Sequence, residues 1–310
     1  MADWVAIPAE DLVVMTLAPD ADGKPRTVVI QLMPAPFSQG WVHNIRLFAR
    51  AKWYDGISVN RVQDNYVTQW GDPNYDNPEA TGKPKPLPDG LWVMTEAEYT
   101  VTNIPPGIKK IVTQIFEKIE ARQPGEPAPF NNFEPGLVSV ADFTYGFVTS
   151  FDRGFPFAWR MEQHFQSVVS PIHCYGMVGV GRNYSPDTGS GAELYTVIGH
   201  APRHLDRNIA LVGRVIEGMQ HLSSLPRGSG DLGFYTAEEA GKRTPILSVR
   251  VASDLAPAEQ PAFEYLSTES TTFATYAEAI ANRRDPFFIV PAGGADICNI
   301  KVPVRRVAGE

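Results

Sequence analysis

Residues 54–73 read YDGISVNRVQDNYVTQWGDP, and this stretch carries the strongest information about the fold. Apolar residues alternate with polar ones around 59–63 and 66–70, a pattern that predicts two strands. Arg61 is the only arginine between Arg50 and Arg122, and it lies among apolar and amide residues. We therefore expect a guanidinium that is held by a sheet and directed at an apolar groove.

The same stretch resembles the strand-pair signature of the cyclophilin peptidyl-prolyl isomerases, roughly YDG-x-x-FHR-V-x-x-x-FM-x-QGGDP. The positions that agree with the signature are Asp55, Gly56, Arg61, Val62, Gln69, Gly71, Asp72 and Pro73. These residues lie at the spacing of the signature, so the resemblance identifies the chain as a divergent member of this family.

Further stretches resemble the family in the same order along the chain. Residues 28–51 resemble the opening strand and first helix, including Asn44, and Met177 with Gly181 fits the family's S-M-A-N-A-G. Residues 191–219 contain a Leu-Asp turn, then Val-Gly-Arg-Val and Gly-Met. Together the matches cover residues 27–73 and 175–251, and their common order is more specific than any one of them.

The resemblance implies a mainly β fold: a closed eight-stranded antiparallel barrel capped by two helices. We expect one domain over residues 1–310, with an insertion at 74–173 and a C-terminal extension at 254–310 packed on the barrel. The apolar spacing independently predicts helices over 41–51 and 108–122. Residues 11–17 and 26–32 predict a hairpin, and 91–101 a strand.

The activity implied by the resemblance is peptidyl-prolyl cis-trans isomerisation of X-Pro bonds, with Arg61 as the catalytic residue. Tyr66, Val67 and Tyr195 stand at the family's proline pocket, and Leu205 at its floor. Gly179 and Val180 match the segment whose backbone pairs with the bound peptide. The substrate-binding positions are Tyr66, Val67, Gln69, Gly179, Val180, Glu193, Tyr195, His204, Leu205 and Ile209.

The chemistry suits an arginine. Resonance raises the barrier to rotation about a peptide bond to about 18–20 kcal/mol. A twisted amide regains the nitrogen lone pair, so a fixed guanidinium hydrogen-bonds the twisted state more strongly than the planar one. No nucleophile, metal or cofactor is required, and none is predicted. The alternative function is a non-catalytic module that binds proline peptides or acts as a chaperone.

Several positions depart from the family pattern. The replacements are Val59 for Phe, Asn60 for His, Trp70 for Gly, Ala192 for Ser, Glu193 for Gln, His204 for Trp and Ile209 for His. Tyrosine in place of phenylalanine keeps the pocket ring and adds a hydroxyl. Glu193 is expected to form a salt bridge with Arg61, which either orients the guanidinium or quenches it.

Other motifs favour no further chemistry. The glycine-rich residues 176–181 lack the lysine of a phosphate-binding loop. Pro202 lies between His200 and His204 and disfavours a helix, and no Glu follows His200. These residues therefore do not form a helical zinc motif. His173 beside Cys174 is interpreted as a buried pair on a core strand, because the sequence reveals no acidic residue to orient the histidine.

The composition limits the classes of partner that the protein can bind. A formal net charge of −8 argues against nucleic acid, and no apolar run is long enough to cross a membrane. The expected partners are proline-containing peptides or unfolded protein clients, bound by a monomer. The location is cytoplasmic if the chain is complete as written and periplasmic if a signal peptide was removed. Cys174 and Cys298 are either reduced, buried thiols or one disulfide.

Overall fold

The computed structural model divides the chain into two compact units. The first, here called the barrel unit, contains Ile7–Tyr99 and His173–Pro261. The second unit contains Met1–Ala6, Thr100–Ile172 and Ala262–Glu310. The residues that the structure describes are 3–307 apart from 76–77, 79, 105, 122, 124–130, 143–147 and 162–166.

Strands and helices are numbered in chain order. The strands are β1 Trp4–Ala6, β2 Leu12–Leu17, β3 Arg26–Leu32, β4 Ser58–Val62, β5 Val67–Gly71, β6 Asn132–Glu134, β7 Leu137–Ala141, β8 Val148–Asp152, β9 Phe155–Met161, β10 Ser167–Pro171, β11 Met177–Val180, β12 Leu194–Val197, β13 Leu211–Glu217, β14 Ile246–Val251, β15 Phe263–Leu266 and β16 Val304–Arg306. The helices are α1 Gln39–Arg50, α2 Pro106–Glu120, α3 Gln220–Ser223 and α4 Thr271–Ala281.

The barrel unit contains one antiparallel sheet of eight strands, in the order β14-β2-β3-β13-β11-β12-β5-β4. Its two end strands approach each other beside Gly56, whose N–H donates to the carbonyl of Ile246 at 2.9 Å. The N–H of Ile246 donates in turn to Ile57 at 2.8 Å. The sheet is thus nearly closed on itself, as the predicted barrel requires, and few of its backbone groups are left at an open edge.

Alternation of side chains fills the barrel with apolar groups, because successive residues of a strand face opposite sides of the sheet. The predicted hairpin is confirmed, since β2 pairs with β3 from Leu12 opposite Gln31 to Leu17 opposite Arg26. The side chains that line the barrel interior are Val13, Met15, Ile30, Leu32, Ile45, Tyr54, Trp70, Val178, Leu194, Val212 and Val249.

Helix α1 confirms the helix predicted at 41–51. It buries Trp41, Ile45 and Phe48, together with the polar Asn44. The amide of Asn44 accepts from the N–H of Trp92 at 2.8 Å and donates to the carbonyl of Trp92 at 2.9 Å. The strand predicted at 91–101 is wrong, because this side chain occupies backbone groups that a strand ladder would need.

The second unit contains most of the predicted insertion and of the C-terminal extension, whereas residues 74–99 and 254–261 belong to the barrel unit. The second unit has a five-stranded sheet in the order β10-β9-β8-β7-β6 and a three-stranded sheet in the order β1-β15-β16. Helix α2 begins two residues before the predicted amphipathic segment 108–122 and ends at Glu120, and residue 122 is outside the described residues. Helix α4 packs against β6 and β7. The packing of the extension on the barrel stays a prediction.

The cysteines and the helices bear on two further expectations. Neither Cys174 nor Cys298 is a free thiol, because both are disulfide-bonded, so the interpretation as reduced thiols is wrong. Among the helices in the described part of the chain, none combines the length and the apolar character needed to cross a membrane.

Candidate functional site

Four predicted site residues form a row across four strands. Arg61 of β4 lies opposite Gln69 of β5, Gln69 lies opposite Tyr195 of β12, and Tyr195 lies opposite Gly179 of β11. Residues directly opposite each other in an antiparallel pair project from the same face of the sheet. The row therefore brings a cation, an amide, a phenol ring and a bare backbone position together on one surface.

Arg61 is held by three neutral acceptors. Its Nε donates to the carbonyl of Leu232 at 2.7 Å, and Nη1 donates to Oε1 of Gln69 at 3.1 Å. Nη2 donates to the side-chain carbonyl of Gln63. Burial lowers the pKa of Arg61, while nearby Tyr66 and Tyr195 raise it. Within the described residues no carboxylate forms an ion pair with this guanidinium, so its charge is fixed in place but not neutralised.

The carbonyl that holds Nε comes from a distant segment. Residues 226–236 run along the outer edge of β4, where Tyr235 N–H donates to Asn60 at 3.0 Å and Phe234 bridges to Arg61. Leu232 has a φ of 55°, a left-handed conformation that is rare for residues other than glycine. The sequence does not predict this contact, because no local pattern connects the segment to Arg61.

Aromatic rings surround the guanidinium. Its carbon lies 5.6 Å from the ring centroid of Tyr66 and 5.5 Å from that of Phe234, distances typical of cation–π contacts. The exposed ring of His204 lies nearly parallel to Tyr66, with centroids 6.4 Å apart. Arg61 is thus partly screened from water by apolar faces, which strengthens the field around it.

An apolar cluster lies beside Arg61. We use this term for Tyr66, Val67, Tyr195, Val197 and Ile209, which pack together. Four of the five were predicted from the sequence, and Val197, opposite Val67 in the sheet, was missed. Val67, Tyr195 and Val197 are buried, and the partly exposed Tyr66 and Ile209 cover them, so these two side chains form the accessible face of the cluster.

Gly179 makes room for the ring of Tyr195. A Cβ atom at position 179 would lie 2.3 Å from both Cζ and Oη of Tyr195. Only glycine lets the tyrosine ring lie against β11 in this position.

The other predicted positions lie around this centre. The N–H of Val180 donates to the carbonyl of Ala210 at 3.0 Å, so this amide is used within the barrel. Leu205 is half-buried at the end of the turn Arg203–Leu205, which also carries His204. A backbone pairing of Val180 with a bound peptide therefore stays a prediction. It requires the carbonyl of Val180, or a rearrangement that frees its N–H from Ala210.

Glu193 does not form the expected salt bridge with Arg61. Its side chain is buried, and Oε2 accepts from Nε2 of Gln69 at 3.4 Å, so Gln69 lies between the carboxylate and the guanidinium. Gly71 and Gly181 leave space for this side chain, since a Cβ at position 71 would lie 1.9 Å from Oε1 of Glu193. Beside it is an open cavity of about 310 Å³ that Asp187 also lines.

Three of the departures from the family pattern have structural reasons. Val59 lies opposite Trp70, and both are almost fully buried. A small side chain on β4 thus pairs with a large one on β5, where the family signature has Phe and Gly. Asn60 is the extra residue of a bulge between Val59 and Arg61, and its buried amide donates to the carbonyl of Gly71 at 3.1 Å.

His173 has an acidic partner that its sequence neighbourhood does not reveal. Its Nδ1 lies 2.8 Å from Oδ1 of Asp206, and its Nε2 lies 2.9 Å from the hydroxyl of Tyr195. Asp206 also accepts from Nε of Arg203 at 2.6 Å. The expectation of a buried histidine is correct, but its predicted place on a strand is wrong, since β10 ends at Pro171 and β11 begins at Met177. The expectation that it lacks an orienting acid is also wrong, because Asp206 lies 33 residues further along the chain.

No candidate metal site is found among the described residues, as no group of three or more His, Cys, Asp or Glu side chains is arranged to hold an ion. The site is therefore built from one fixed guanidinium, the amides of Gln63 and Gln69, and the apolar cluster.

Comparisons with known proteins identify the family and the fold. A sequence model of the family described as cyclophilin type peptidyl-prolyl cis-trans isomerase/CLD matches residues 27–251. The fold is similar to the crystal structure of cyclophilin AquaCyp293 from Hirschia baltica, with a TM-score of 0.66 and 21% identity over 99% of this chain and 94% of that chain. No curated protein matches the sequence. Because the family match spans more than half of the chain, the protein belongs to the cyclophilin-type peptidyl-prolyl cis-trans isomerase family.

Proposed function

We propose that this protein isomerises X-Pro peptide bonds, with Arg61 as the catalytic donor and the apolar cluster as the proline-binding surface. Membership of the family supports peptidyl-prolyl isomerase activity in general. The observation that carries the finer proposal is the position of Arg61: it is bonded to neutral acceptors and lies in the same cross-strand row as Tyr195. A cation and an apolar surface then face the same ligand.

The donor arrangement suits a twisted amide. A guanidinium has five N–H groups in a rigid fork, and the described residues use one each on Nε, Nη1 and Nη2. The remaining N–H groups are available to a substrate carbonyl or to the imide nitrogen as the bond rotates. Because the fork is already held in place, little reorganisation is needed when the nitrogen lone pair develops.

The lack of a carboxylate beside Arg61 also supports the proposal. An ion pair would lower the field that the guanidinium exerts on the substrate. Amide acceptors orient the fork through hydrogen bonds and leave its charge in place. The proline ring packs on the apolar cluster in both the planar and the twisted state, so the cluster contributes binding and Arg61 contributes to the rate.

The experiment is an isomerase assay on a proline peptide, with product detected by a protease that cleaves only the trans form. The wild-type protein should accelerate isomerisation, and Arg61→Ala should lower kcat/KM by roughly 10²–10³-fold. Arg50→Ala, which removes a surface arginine paired with Glu10 and Asp254, is the matched control and should keep full activity. Arg61→Lys should remain impaired, since an ammonium lacks the planar fork.

Two outcomes would contradict the proposal. An Arg61→Ala protein with wild-type kcat/KM would remove Arg61 from the mechanism. Binding of the peptide without acceleration by the wild-type protein would favour the alternative, a module that binds proline peptides without turnover. The expected substrates are proline-containing peptides and unfolded protein clients.

A further inference from the structure

A chain of buried polar groups lies behind the apolar cluster. It runs from Arg203 through Asp206 and His173 to the hydroxyl of Tyr195, with consecutive distances of 2.6, 2.8 and 2.9 Å. The side chains of Arg203, Asp206 and His173 are 5%, 2% and 1% exposed. Buried polar groups of this kind contribute to stability only when each has a partner, and here every link of the chain has one.

The hydrogen bonds define where the protons lie. A carboxylate accepts, so Nδ1 of His173 carries the proton directed at Asp206. Burial lowers the pKa of His173, although Asp206 opposes this effect, so the ring is neutral near pH 7. Nε2 is then an acceptor, and the hydroxyl of Tyr195 donates to it. The Tyr195 proton therefore points at His173 and not towards the apolar cluster.

This chain of polar groups also connects the apolar cluster to the turn that carries His204 and Leu205. Tyr195 lies on β12, within the apolar cluster, while Arg203 and Asp206 flank His204 and Leu205 on the turn at the rim. The backbone N–H of His173 donates to the same Oδ1 of Asp206 at 2.9 Å. His173 therefore holds the rim turn through Asp206 and the ring of Tyr195 through its hydroxyl.

We propose that His173 is a positioning residue for proline binding: it fixes the ring and the hydroxyl proton of Tyr195 and ties that ring to the turn carrying His204 and Leu205. This inference rests on the proposed function. The hydroxyl of Tyr195 is bonded to His173, so the buried ring supports the partly exposed Tyr66 and Ile209 from beneath without an unpaired donor. His173 itself touches neither the substrate nor the reacting atoms.

A double-mutant cycle on the same proline peptide tests the proposal. His173→Leu leaves the Tyr195 hydroxyl buried without its acceptor, and we expect KM to rise by about threefold to tenfold with little change in kcat. Tyr195→Phe removes the hydroxyl and keeps the ring. The double variant should show a KM close to that of Tyr195→Phe alone, because removal of both partners leaves no unpaired group.

His200→Leu is the matched control, since His200 is exposed and its side chain makes no hydrogen bond within the described residues. This variant should keep the wild-type KM. Denaturant midpoints of all variants separate a loss of stability from the KM effect. If the KM effects of the two single substitutions multiplied in the double variant, the proposal would be overturned. A His173→Leu protein with wild-type KM would also overturn it.

A second measurement does not depend on activity. Nitrogen-15 shifts of the His173 ring at pH 7 should report a neutral imidazole with its proton on Nδ1, and the Nε2 shift should move in Tyr195→Phe. A protonated ring, or a proton on Nε2, would overturn the proposal. If the wild-type protein showed no isomerase activity, the proposed function would fail while these shifts still decided whether His173 holds Tyr195.

Discussion

Arg61 and Val59 lie two residues apart on β4 yet face opposite sides of the sheet. Val59 pairs with Trp70, which lines the barrel interior, whereas Arg61 pairs with Gln69 on the outer row. In a regular strand residues i and i+2 share a face. The extra residue Asn60 reverses this relation, so the bulge directs the guanidinium away from the core and onto the candidate site.

Gln69→Ala should lower kcat/KM by roughly tenfold, less than the loss of Arg61 itself, because the fork loses one of its fixed acceptors but keeps its charge. The isomerase assay measures this change. Gln31→Ala is a matched control: Oε1 of Gln31 accepts from Nε of Arg214 at 2.9 Å, an equivalent bond elsewhere on the barrel. A similar loss of activity in both variants would indicate a general effect on folding.

Glu193→Gln should lower kcat/KM by about twofold to fivefold, since the carboxylate orients Gln69 through one charge-assisted hydrogen bond. Its effect passes through Gln69, so Gln69→Ala with Glu193→Gln should be no slower than Gln69→Ala alone. An increase in activity would show instead that the carboxylate competes with the substrate for the field of Arg61. Steady-state kinetics of the three variants distinguishes these results.

Gly179→Ala should destabilise the protein by about 1–3 kcal/mol, the usual range for overpacking. The added Cβ would meet the ring of Tyr195 at 2.3 Å, and a rigid ring between two strands has little room to move. Urea unfolding measures the loss. Gly241→Ala is the control, since no atom lies within 4 Å of its new Cβ, and it should be neutral or slightly stabilising. Equal effects at both positions would contradict the packing argument.

The stability of the protein should decrease as the pH falls below about 6.5, the ordinary pKa of histidine. Burial lowers the pKa of His173 in the folded state, while Asp206 raises it and Arg203 and His204 lower it further. The unfolded chain therefore takes up the proton first. The stabilisation is complete above the unfolded pKa and is lost as the pH falls through the folded one.

Urea midpoints between pH 7 and pH 5 measure the slope of stability against pH. His173→Leu should reduce it, and His200→Leu should not. Glu10, Asp55 and Glu239 have lowered pKa values, so their contributions are lost only below the ordinary carboxyl values of 4.5, 3.8 and 4.5. A slope that is unchanged in His173→Leu would assign the pH dependence to other groups.

Cyclosporin should bind this protein weakly. The family members that bind it have a tryptophan at the position of His204, whose imidazole stacks on Tyr66 and cannot supply the indole N–H or its broad face. His204→Trp should increase the affinity, whereas His200→Trp, on a neighbouring exposed position, should not. Isothermal titration calorimetry provides the measurement, and tight saturable binding by the wild-type protein would contradict the prediction.

The sequence by itself determined the elements whose signals are local. The hairpin of β2 and β3, helix α1 and the strand pair that carries Arg61 follow from alternation, helical spacing and ordered motifs. The same motifs predict that Gln69, Tyr195 and Gly179 belong to the candidate site. Apolar patterning is imposed by the faces that must be buried, so it remains visible in the order of residues.

Only the tertiary structure decided what holds these side chains. The carbonyl that fixes Arg61 belongs to Leu232, 171 residues away, and the acid that orients His173 follows two intervening strands. The bulge at Asn60 and the position of Gln69 between Arg61 and Glu193 have no local signature. Contacts of this kind depend on where closure of the barrel places distant segments, and periodicity along the chain contains no information about such distances.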